Sequence, residues 1–482
     1  MSKPGGNTMS KATKVGLSLL LVGGALGAVS FLAPEGTVFS QVTKEPLIFS
    51  KAEGIEWIKK YLEEYPELKW LADENVRKTE EGSEALGGSY SEQLFGKKFV
   101  EFDRTMMTLT CMRYILDGSD DAYNKFTAAQ RENKLSRESF QQLHEQGLEI
   151  LDSRWGGMSK KQIALAMETA LVLGDIGKSE RAREFFKEYS VIAPDHDDFH
   201  GELLPLLQTK PGLCPSFARL PSAGQKLLTL TANLGHFGHM THLEGGSGMF
   251  DKLIESGVPS SFPNALSFDL FVHKCDVAGA AGHVNNSSSL VYTENTFQAM
   301  EAVEEAIGSL SDSKKTGWDA YNAYLTKRAE WLGLKADVSG DRVLTRIGAM
   351  LRLFTPEEGN VLREAMGQLD TEMQERIAAQ LDVQKESSDG RTPTYMPAVL
   401  VNLMNNQALG KTEEERLSHA ITLGLPFISR VLEEQNDRLA KGKADTQIPL
   451  CFNAAAGAAK TNPGLLKGPF SIDNEGMVRL GE

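Results

Sequence analysis

The stretch AEGIEWIKKYLEEYPELKWLAD, residues 52–73, decides the fold class of this chain. Its apolar side chains recur every three or four residues among lysines and glutamates, which is the pattern of an amphipathic helix. The same period continues along most of the chain, whereas the alternation typical of strands is scarce. The periodicity therefore predicts an all-α protein, a large helical bundle. Further helices are predicted at 95–116, 136–151, 161–173, 179–189, 302–310, 320–332, 342–353, 357–381 and 412–440.

The composition excludes several classes of protein. Of 482 residues, 41% are hydrophobic and 24% are charged, values that are ordinary for a globular protein and rule out a disordered or multi-span membrane chain. The 65 acidic residues outnumber the 51 basic ones, and the net charge is −14. This charge argues against nucleic-acid binding, so no nucleic-acid partner is expected. A small anionic substrate fits where a bound cation reverses the local charge.

The N-terminus carries a targeting pattern. Lys11 and Lys14 precede an uncharged apolar run over residues 15–33, and the small residues at 28–30 resemble a signal-peptidase site. The run is also nearly long enough to span a membrane as an anchor. Two interpretations stay open: a signal peptide or membrane anchor, and a glycine-rich buried segment of a cytosolic fold. We take the first as the prediction, so the protein is expected to be exported or membrane-anchored.

Histidines are concentrated in one part of the chain. Seven of the nine lie between residues 196 and 283, and aspartates accompany them. Neutral imidazole is the commonest metal ligand in proteins, so this concentration predicts a metal site. The histidines form three groups: DHDDFH at 195–200; His236, His239 and His242; and a segment with Asp269, His273 and Asp276, followed by His283.

Helical geometry favours the second and third groups as ligand sources. On a helix, Asp269, His273 and Asp276 lie within about 60° of one another. Two facing helices of this kind offer nitrogen and oxygen ligands, a set that suits iron, manganese or zinc better than magnesium. One alternative stays open for these groups, namely that they hydrogen-bond to each other without a metal. For residues 195–200, a solvated acidic turn is equally consistent with the spacing.

The sequence ALVLGDIGK at 170–178 resembles the central motif of the HD-domain superfamily of metal-dependent phosphohydrolases. In that superfamily an apolar helix ends in His-Asp-Ile-Gly-Lys. His144 lies upstream at a distance similar to that of the superfamily's first histidine ligand, and His196, His239 and Asp276 follow as its further ligands do. The chain departs from the motif at Gly174, which stands where the motif histidine belongs. The resemblance covers roughly residues 136–283.

The resemblance implies an HD-domain-like helical core with one or two metal ions at its centre and additional N- and C-terminal helices. We therefore predict four regions: an apolar segment at 1–45, a helical region at 46–135, the HD-like core at 136–300, and a C-terminal helical region with an irregular tail at 301–482.

The same resemblance implies hydrolysis of a phosphate ester or nucleotide, with Lys178 contacting the phosphate. Two alternatives stay open: an HD-type diiron oxygenase, and a non-catalytic helical scaffold with a structural metal. The predicted ligands of one or two divalent transition metals (Fe, Mn or Zn) are His144, Asp175, His196, His236, His239, His242, Asp269, His273, Asp276 and His283.

Overall fold

The computed structural model describes residues 45–73, 88–193, 196–232, 234–235, 237–383, 392–446 and 448–481. Helices dominate these residues, and the prediction of an all-α fold is confirmed. The first part of the chain contains α1 Gly54–Glu64, α2 Leu68–Leu71, α3 Tyr90–Phe95, α4 Val100–Asp117, α5 Asp120–Thr127, α6 Arg137–Asp152, α7 Lys160–Gly174, α8 Glu180–Lys187, α9 His196–Thr209, α10 Pro215–Ala218, α11 Ser222–Thr231, α12 Phe237–Thr241, α13 Gly248–Glu255, α14 Val258–Ser261 and α15 Pro263–Gly279.

The second part continues with helices and ends in two short antiparallel strands, in which Phe470 lies opposite Leu480. Its elements are α16 Glu294–Gly308, α17 Gly317–Trp331, α18 Ser339–Met350, α19 Pro356–Gly367, α20 Thr371–Leu381, α21 Met396–Asn405, α22 Glu413–His419, a π-helical turn Ala420–Gly424, α23 Leu425–Ala440, α24 Asn453–Thr461, β1 Phe470–Ile472 and β2 Val478–Leu480.

Local sequence signals set the ends of these helices. The predicted helix over residues 52–73 is divided into α1 and α2 at Pro66, because proline has no backbone N–H to continue the helical hydrogen bonds. Helix α7 begins with a capping box, in which the Ser159 side chain accepts from the Gln162 amide and the Gln162 side chain accepts from the Ser159 amide. This cap fixes the start of the helix that ends at Gly174.

Helices α4 and α15 pack closely against each other. The approach is tightest near the end of α15, where a Cβ atom on Gly279 would lie 2.2 Å from the Thr108 backbone nitrogen. A Cβ atom on Gly282 would lie 2.4 Å from the Met107 Cβ. Glycine is therefore required at both positions. This contact brings the C-terminal end of α15, with Asp276, against the N-terminal half of α4.

A buried carboxylate attaches the first helix to α7. Glu168 accepts hydrogen bonds from the hydroxyls of Tyr61 and Tyr65, each at 2.5 Å, and from the Ile48 backbone N–H at 2.6 Å. Burial raises the pKa of Glu168 to about 7, although these three hydrogen bonds lower it. The connection holds α7 in position two helical turns before Asp175.

Replacement of Glu168 by glutamine is expected to change how stability depends on pH. The folded protein binds the carboxyl proton of Glu168 more tightly than the unfolded chain does, since folding raises the pKa of Glu168 from 4.5 to about 7. The free energy of unfolding of the wild type should therefore fall by roughly 2–3 kcal/mol as pH rises from about 4.5 to about 7. The free energy of unfolding of the Glu168→Gln variant, measured with urea, should not show this fall with pH. The exposed-site control Glu56→Gln should keep it, and parallel profiles for wild type and Glu168→Gln would contradict the expectation.

The second part of the chain has its own apolar core, which extends from Ala329 to Val478. The tail that the sequence predicts as irregular is ordered here. Helix α24 packs on α21, where the Asn402 side chain donates to the Ala456 carbonyl at 2.9 Å. The alanines of α24 favour helix and allow this close packing, which explains the difference.

The described residues from 45 onward form one compact unit, which contains all three regions predicted after residue 45. The predicted boundaries at 135 and 300 stay predictions. The apolar segment at 15–33 lies outside the described residues. Within the described ranges, no helix has both the length and the apolar character needed to cross a membrane.

Candidate functional site

A buried group of charges lies where α4 meets the end of α7. The Lys178 ammonium is 2.8 Å from Asp175 Oδ1 and 2.9 Å from Glu101 Oε2. Arg104, one turn further along α4, lies 3.4 Å from Glu101 Oε1. Glu101 is 1% exposed and Lys178 is 7% exposed, so these charges interact with little screening by water.

The pKa values show how strongly these groups interact. Burial raises the pKa of Asp175. The charges of Lys178, Arg104 and His196 together lower it by more, and the resulting pKa is about 2. The pKa of Glu101 is lowered in the same way, since Lys178 and Arg104 outweigh burial. Burial lowers the pKa of Lys178, whereas Asp175 and Glu101 raise it, and the net shift is upward. All three groups are therefore ionised at neutral pH.

Helix α9 adds two histidines and an aspartate to this group. His196 Nε2 lies 3.4 Å from Asp197 Oδ1, and His239 Nε2 lies 4.0 Å from Asp197 Oδ2. The His200 Nε2 atom is buried and has no hydrogen-bond partner within the described part of the chain. Burial lowers the pKa of His200 to about 4, so its imidazole is neutral and can act as a ligand.

The Glu244 carboxylate orients His239, and Arg346 holds the backbone that carries Glu244. The Nδ1 atom of His239 lies 2.7 Å from Glu244 Oε2, so Nδ1–H donates to this carboxylate and Nε2 lies on the Asp197 side. The Arg346 guanidinium donates to the carbonyls of Leu243 at 2.9 Å and Glu244 at 2.6 Å. Leu243 has a φ of 49°, a conformation that these hydrogen bonds hold.

Asp276 of α15 completes the arrangement. Burial raises its pKa to about 6, and the Asp175 charge raises it as well, whereas Lys178 and Arg104 lower it. We call the whole group the central cluster. It consists of Glu101, Arg104, Asp175, Lys178, His196, Asp197, His200, His239, Glu244 and Asp276.

Two features of the central cluster fit a bound cation. The buried Nε2 atom of His200 has no hydrogen-bond partner in the described residues, and its lone pair could instead bind a metal ion. Asp276 and Asp175 disfavour each other's ionised forms, which a cation between them would reverse. Across the described residues, however, no three His, Cys, Asp or Glu side chains stand in a metal-ligating arrangement. A bound metal would therefore require these side chains to change rotamer.

The cluster contains Asp175, Lys178, His196, His239 and Asp276 of the predicted site residues. His144 lies elsewhere, with its Nδ1 2.8 Å from the Ile115 carbonyl oxygen. Ile115 is near the opposite end of α4 from Glu101, roughly 20 Å away at about 1.5 Å per residue. The predicted pairing of His144 with Asp175 in one metal site is therefore absent from the structure, because α6 crosses α4 at its far end.

Four of the remaining predicted ligands lie on or just after α12 and α15, the helices that also carry His239 and Asp276. His273 packs against the Phe237 ring, with 5.6 Å between ring centroids. Asp269 has a pKa raised to about 8 by burial alone, without a contribution from any charge of the cluster. His242 follows the five-residue helix α12, and His283 is buried just after α15. His236 lies outside the described residues.

The structure gives Lys178 a different position from the one that the motif suggests. Its ammonium is buried between two carboxylates, so it has little capacity to contact a substrate phosphate. We therefore correct its predicted role from phosphate contact to a counter-ion of Asp175 and Glu101. The Lys178 ammonium thus lies beside Asp175, where a bound metal ion would also have to contact this carboxylate.

Sequence reasoning missed five members of the cluster as site residues: Glu101, Arg104, Asp197, His200 and Glu244. His200 and Asp197 belong to the predicted group at 195–200, and their spacing on a helix is the signal that could have found His200. Glu101 and Arg104 lie on the most buried helix of the first part, where charged residues need partners.

The fold and site thus define an all-α protein with a buried histidine and carboxylate cluster between helices. A family profile matches residues 57–448, and the chain belongs to this family, which is described as a family of unknown function (DUF6829). The match spans α4, α7, α9, α12 and α15, so the whole central cluster lies inside the family region. No curated protein and no solved structure matches the chain.

Proposed function

We propose that the protein is a metal-dependent hydrolase that acts on a phosphate ester or nucleotide at the central cluster. The observation that carries this proposal is the buried His200 Nε2, which lacks a hydrogen-bond partner in the described residues and on which the charges of Asp197 and Asp175 act. A neutral buried imidazole next to carboxylates is the chemistry of a transition-metal site.

Asp175, His200, His239 and Asp276 would hold one divalent ion of iron, manganese or zinc, and His196 is the candidate fifth ligand. Such an ion, when bound, supplies an acidic water and stabilises negative charge on phosphoryl oxygens. Glu244 keeps the His239 proton on Nδ1, so that Nε2 presents its lone pair to the cluster.

The electrostatics of the other residues agree with an anionic substrate. Arg104 is the cation of the cluster with the greater side-chain exposure, 22% against 8% for Lys178. It is therefore the better placed of the two to attract a phosphate group from solvent. Lys178 holds Asp175 and Glu101 ionised, which keeps the carboxylates able to bind a metal.

The test is hydrolysis of bis(4-nitrophenyl) phosphate by purified protein with added Mn²⁺. We expect slow hydrolysis that requires the metal, because an activated water needs little substrate recognition. The His200→Ala variant should lose the activity by at least about 100-fold, since it lacks one proposed ligand. His419→Ala is the matched control, because His419 lies on α22 and bonds the Glu415 carbonyl. Absence of metal-dependent hydrolysis with Mn²⁺, Fe²⁺ and Zn²⁺ would refute the proposal.

A non-catalytic scaffold without a metal, which differs from the predicted scaffold with a structural metal, is the second candidate, and the position of Lys178 favours it. An ammonium already lies between Asp175 and Glu101, so the cluster has an internal cation of its own. This candidate predicts that purified protein neither carries nor takes up a transition metal, and that a chelator leaves its melting temperature unchanged.

A further inference from the structure

Residues 392–395 of the second part of the chain border the central cluster. A Cβ atom on Gly245, the residue after Glu244, would lie 2.7 Å from Thr392 Oγ1. Thr394 anchors this segment, since its N–H donates to the Leu450 carbonyl at 2.8 Å and its carbonyl accepts from the Phe452 N–H at 2.9 Å. The segment therefore packs against the turn that orients His239.

Tyr395 has an unfavourable backbone conformation at the end of this segment. Its φ of 62° and ψ of 10° place an aromatic residue in the left-handed region, directly before α21. Such a conformation persists only when the surrounding structure holds it, and residues of this kind are frequent at functional sites. The strained residue thus lies between the segment that packs against Gly245 and the first turn of α21.

The Tyr395 side chain is half-buried, and its hydroxyl makes no hydrogen bond within the described ranges. The charges of Lys178, Asp197 and Glu101 all act on this hydroxyl. Burial, the largest effect, raises the pKa of Tyr395, so the hydroxyl keeps its proton at neutral pH. The group is thus an uncommitted hydrogen-bond donor beside the central cluster.

We propose that Tyr395 contacts the substrate, and that its hydroxyl donates a hydrogen bond to a phosphoryl oxygen of a phosphate ester held at the central cluster. This inference rests on the proposed function. Tyr395 would make the phosphate contact that Lys178 cannot make, because the Lys178 ammonium is bound by two carboxylates. The second part of the chain then supplies one wall of the site, and α21 positions the donor.

The experiment compares Tyr395→Phe with wild type in the Mn²⁺-dependent hydrolysis assay. Loss of one hydrogen bond to a charged oxygen should lower kcat/KM about 10- to 100-fold. Metal content and melting temperature should not change, since the hydroxyl has no partner in the described residues to lose. Tyr189→Phe is the matched control: Tyr189 is also half-buried, but its ring packs on Phe185 just after α8 and is not part of the central cluster. Unchanged kcat/KM in Tyr395→Phe would overturn the inference while leaving the hydrolase intact.

A second measurement keeps the inference testable if no hydrolysis occurs. The protein is labelled with 3-fluorotyrosine at its ten tyrosines, and the ¹⁹F signal of residue 395 is identified by its loss in Tyr395→Phe. Inorganic phosphate, added with Mn²⁺, should shift this signal and leave that of Tyr189 in place. A shift without hydrolysis would support phosphate contact and refute the hydrolase. No shift at saturating phosphate would overturn the role of Tyr395, whatever the activity.

Discussion

Replacement of Lys178 by methionine is expected to lower the free energy of unfolding by about 3–5 kcal/mol, because it removes the ammonium that Asp175 and the buried Glu101 share and leaves Glu101 with only the longer contact to Arg104. The Lys178 ammonium lies 2.8 Å from Asp175 and 2.9 Å from Glu101, and the Glu101 side chain is 1% exposed. Methionine preserves most of the side-chain volume, so the change isolates the charge. Chemical unfolding monitored by circular dichroism measures the loss.

The matched control for this prediction is Lys441→Met. Lys441 also lies 2.8 Å from an aspartate, Asp437, but both side chains are more than half exposed. Water screens this pair, so its removal should change stability little. Adding Glu101→Gln to Lys178→Met removes one of the two carboxylates that lost the ammonium and should recover part of the lost stability. Equal stability of the Lys178→Met and Lys441→Met variants would show that the buried ion pairs do not hold the site together.

Replacement of Asp276 by asparagine is expected to reduce metal affinity and metal-dependent hydrolysis by more than about 100-fold. Loss of a proposed ligand should exceed the effect typical of groups that only orient ligands. Asparagine has the size of aspartate, and burial and the Asp175 charge disfavour the ionised carboxyl of Asp276, so the variant should be at least as stable as the wild type at neutral pH. Metal content by mass spectrometry and the phosphodiester assay measure the two effects.

Asp269 provides the control on the same helix. Burial raises its pKa to about 8, so it is largely protonated at neutral pH, and asparagine resembles the protonated form. Asp269→Asn should therefore retain both metal and activity. Equal loss of metal and activity in the two variants would place the metal nearer the start of α15. That position would agree with the sequence prediction, which grouped Asp269 with His273 and Asp276. Full retention in both would remove α15 from the site.

Much of the candidate site could be anticipated from residue spacing within single helices. Asp269, His273 and Asp276 do lie on one helix, α15, as their spacing predicts. The group at 236–242 behaves differently, since α12 covers only Phe237–Thr241 and Leu243 adopts a positive φ directly after it. A three-residue spacing alone cannot show that a turn interrupts the helix. That this site binds a metal ion and carries out HD-type chemistry stays a prediction.

The sequence by itself determined the all-α fold and the helix that carries Asp276, because helical periodicity is a local property of neighbouring residues. Only the tertiary structure decided which candidate residues meet. Lys178 finds Glu101 across 77 positions of sequence, and Arg346 reaches the Glu244 carbonyl across 102. His144 is separated from Asp175 for the same reason, since the point at which α6 crosses α4 depends on how whole helix faces pack. Spacing along the chain carries no information about such crossings.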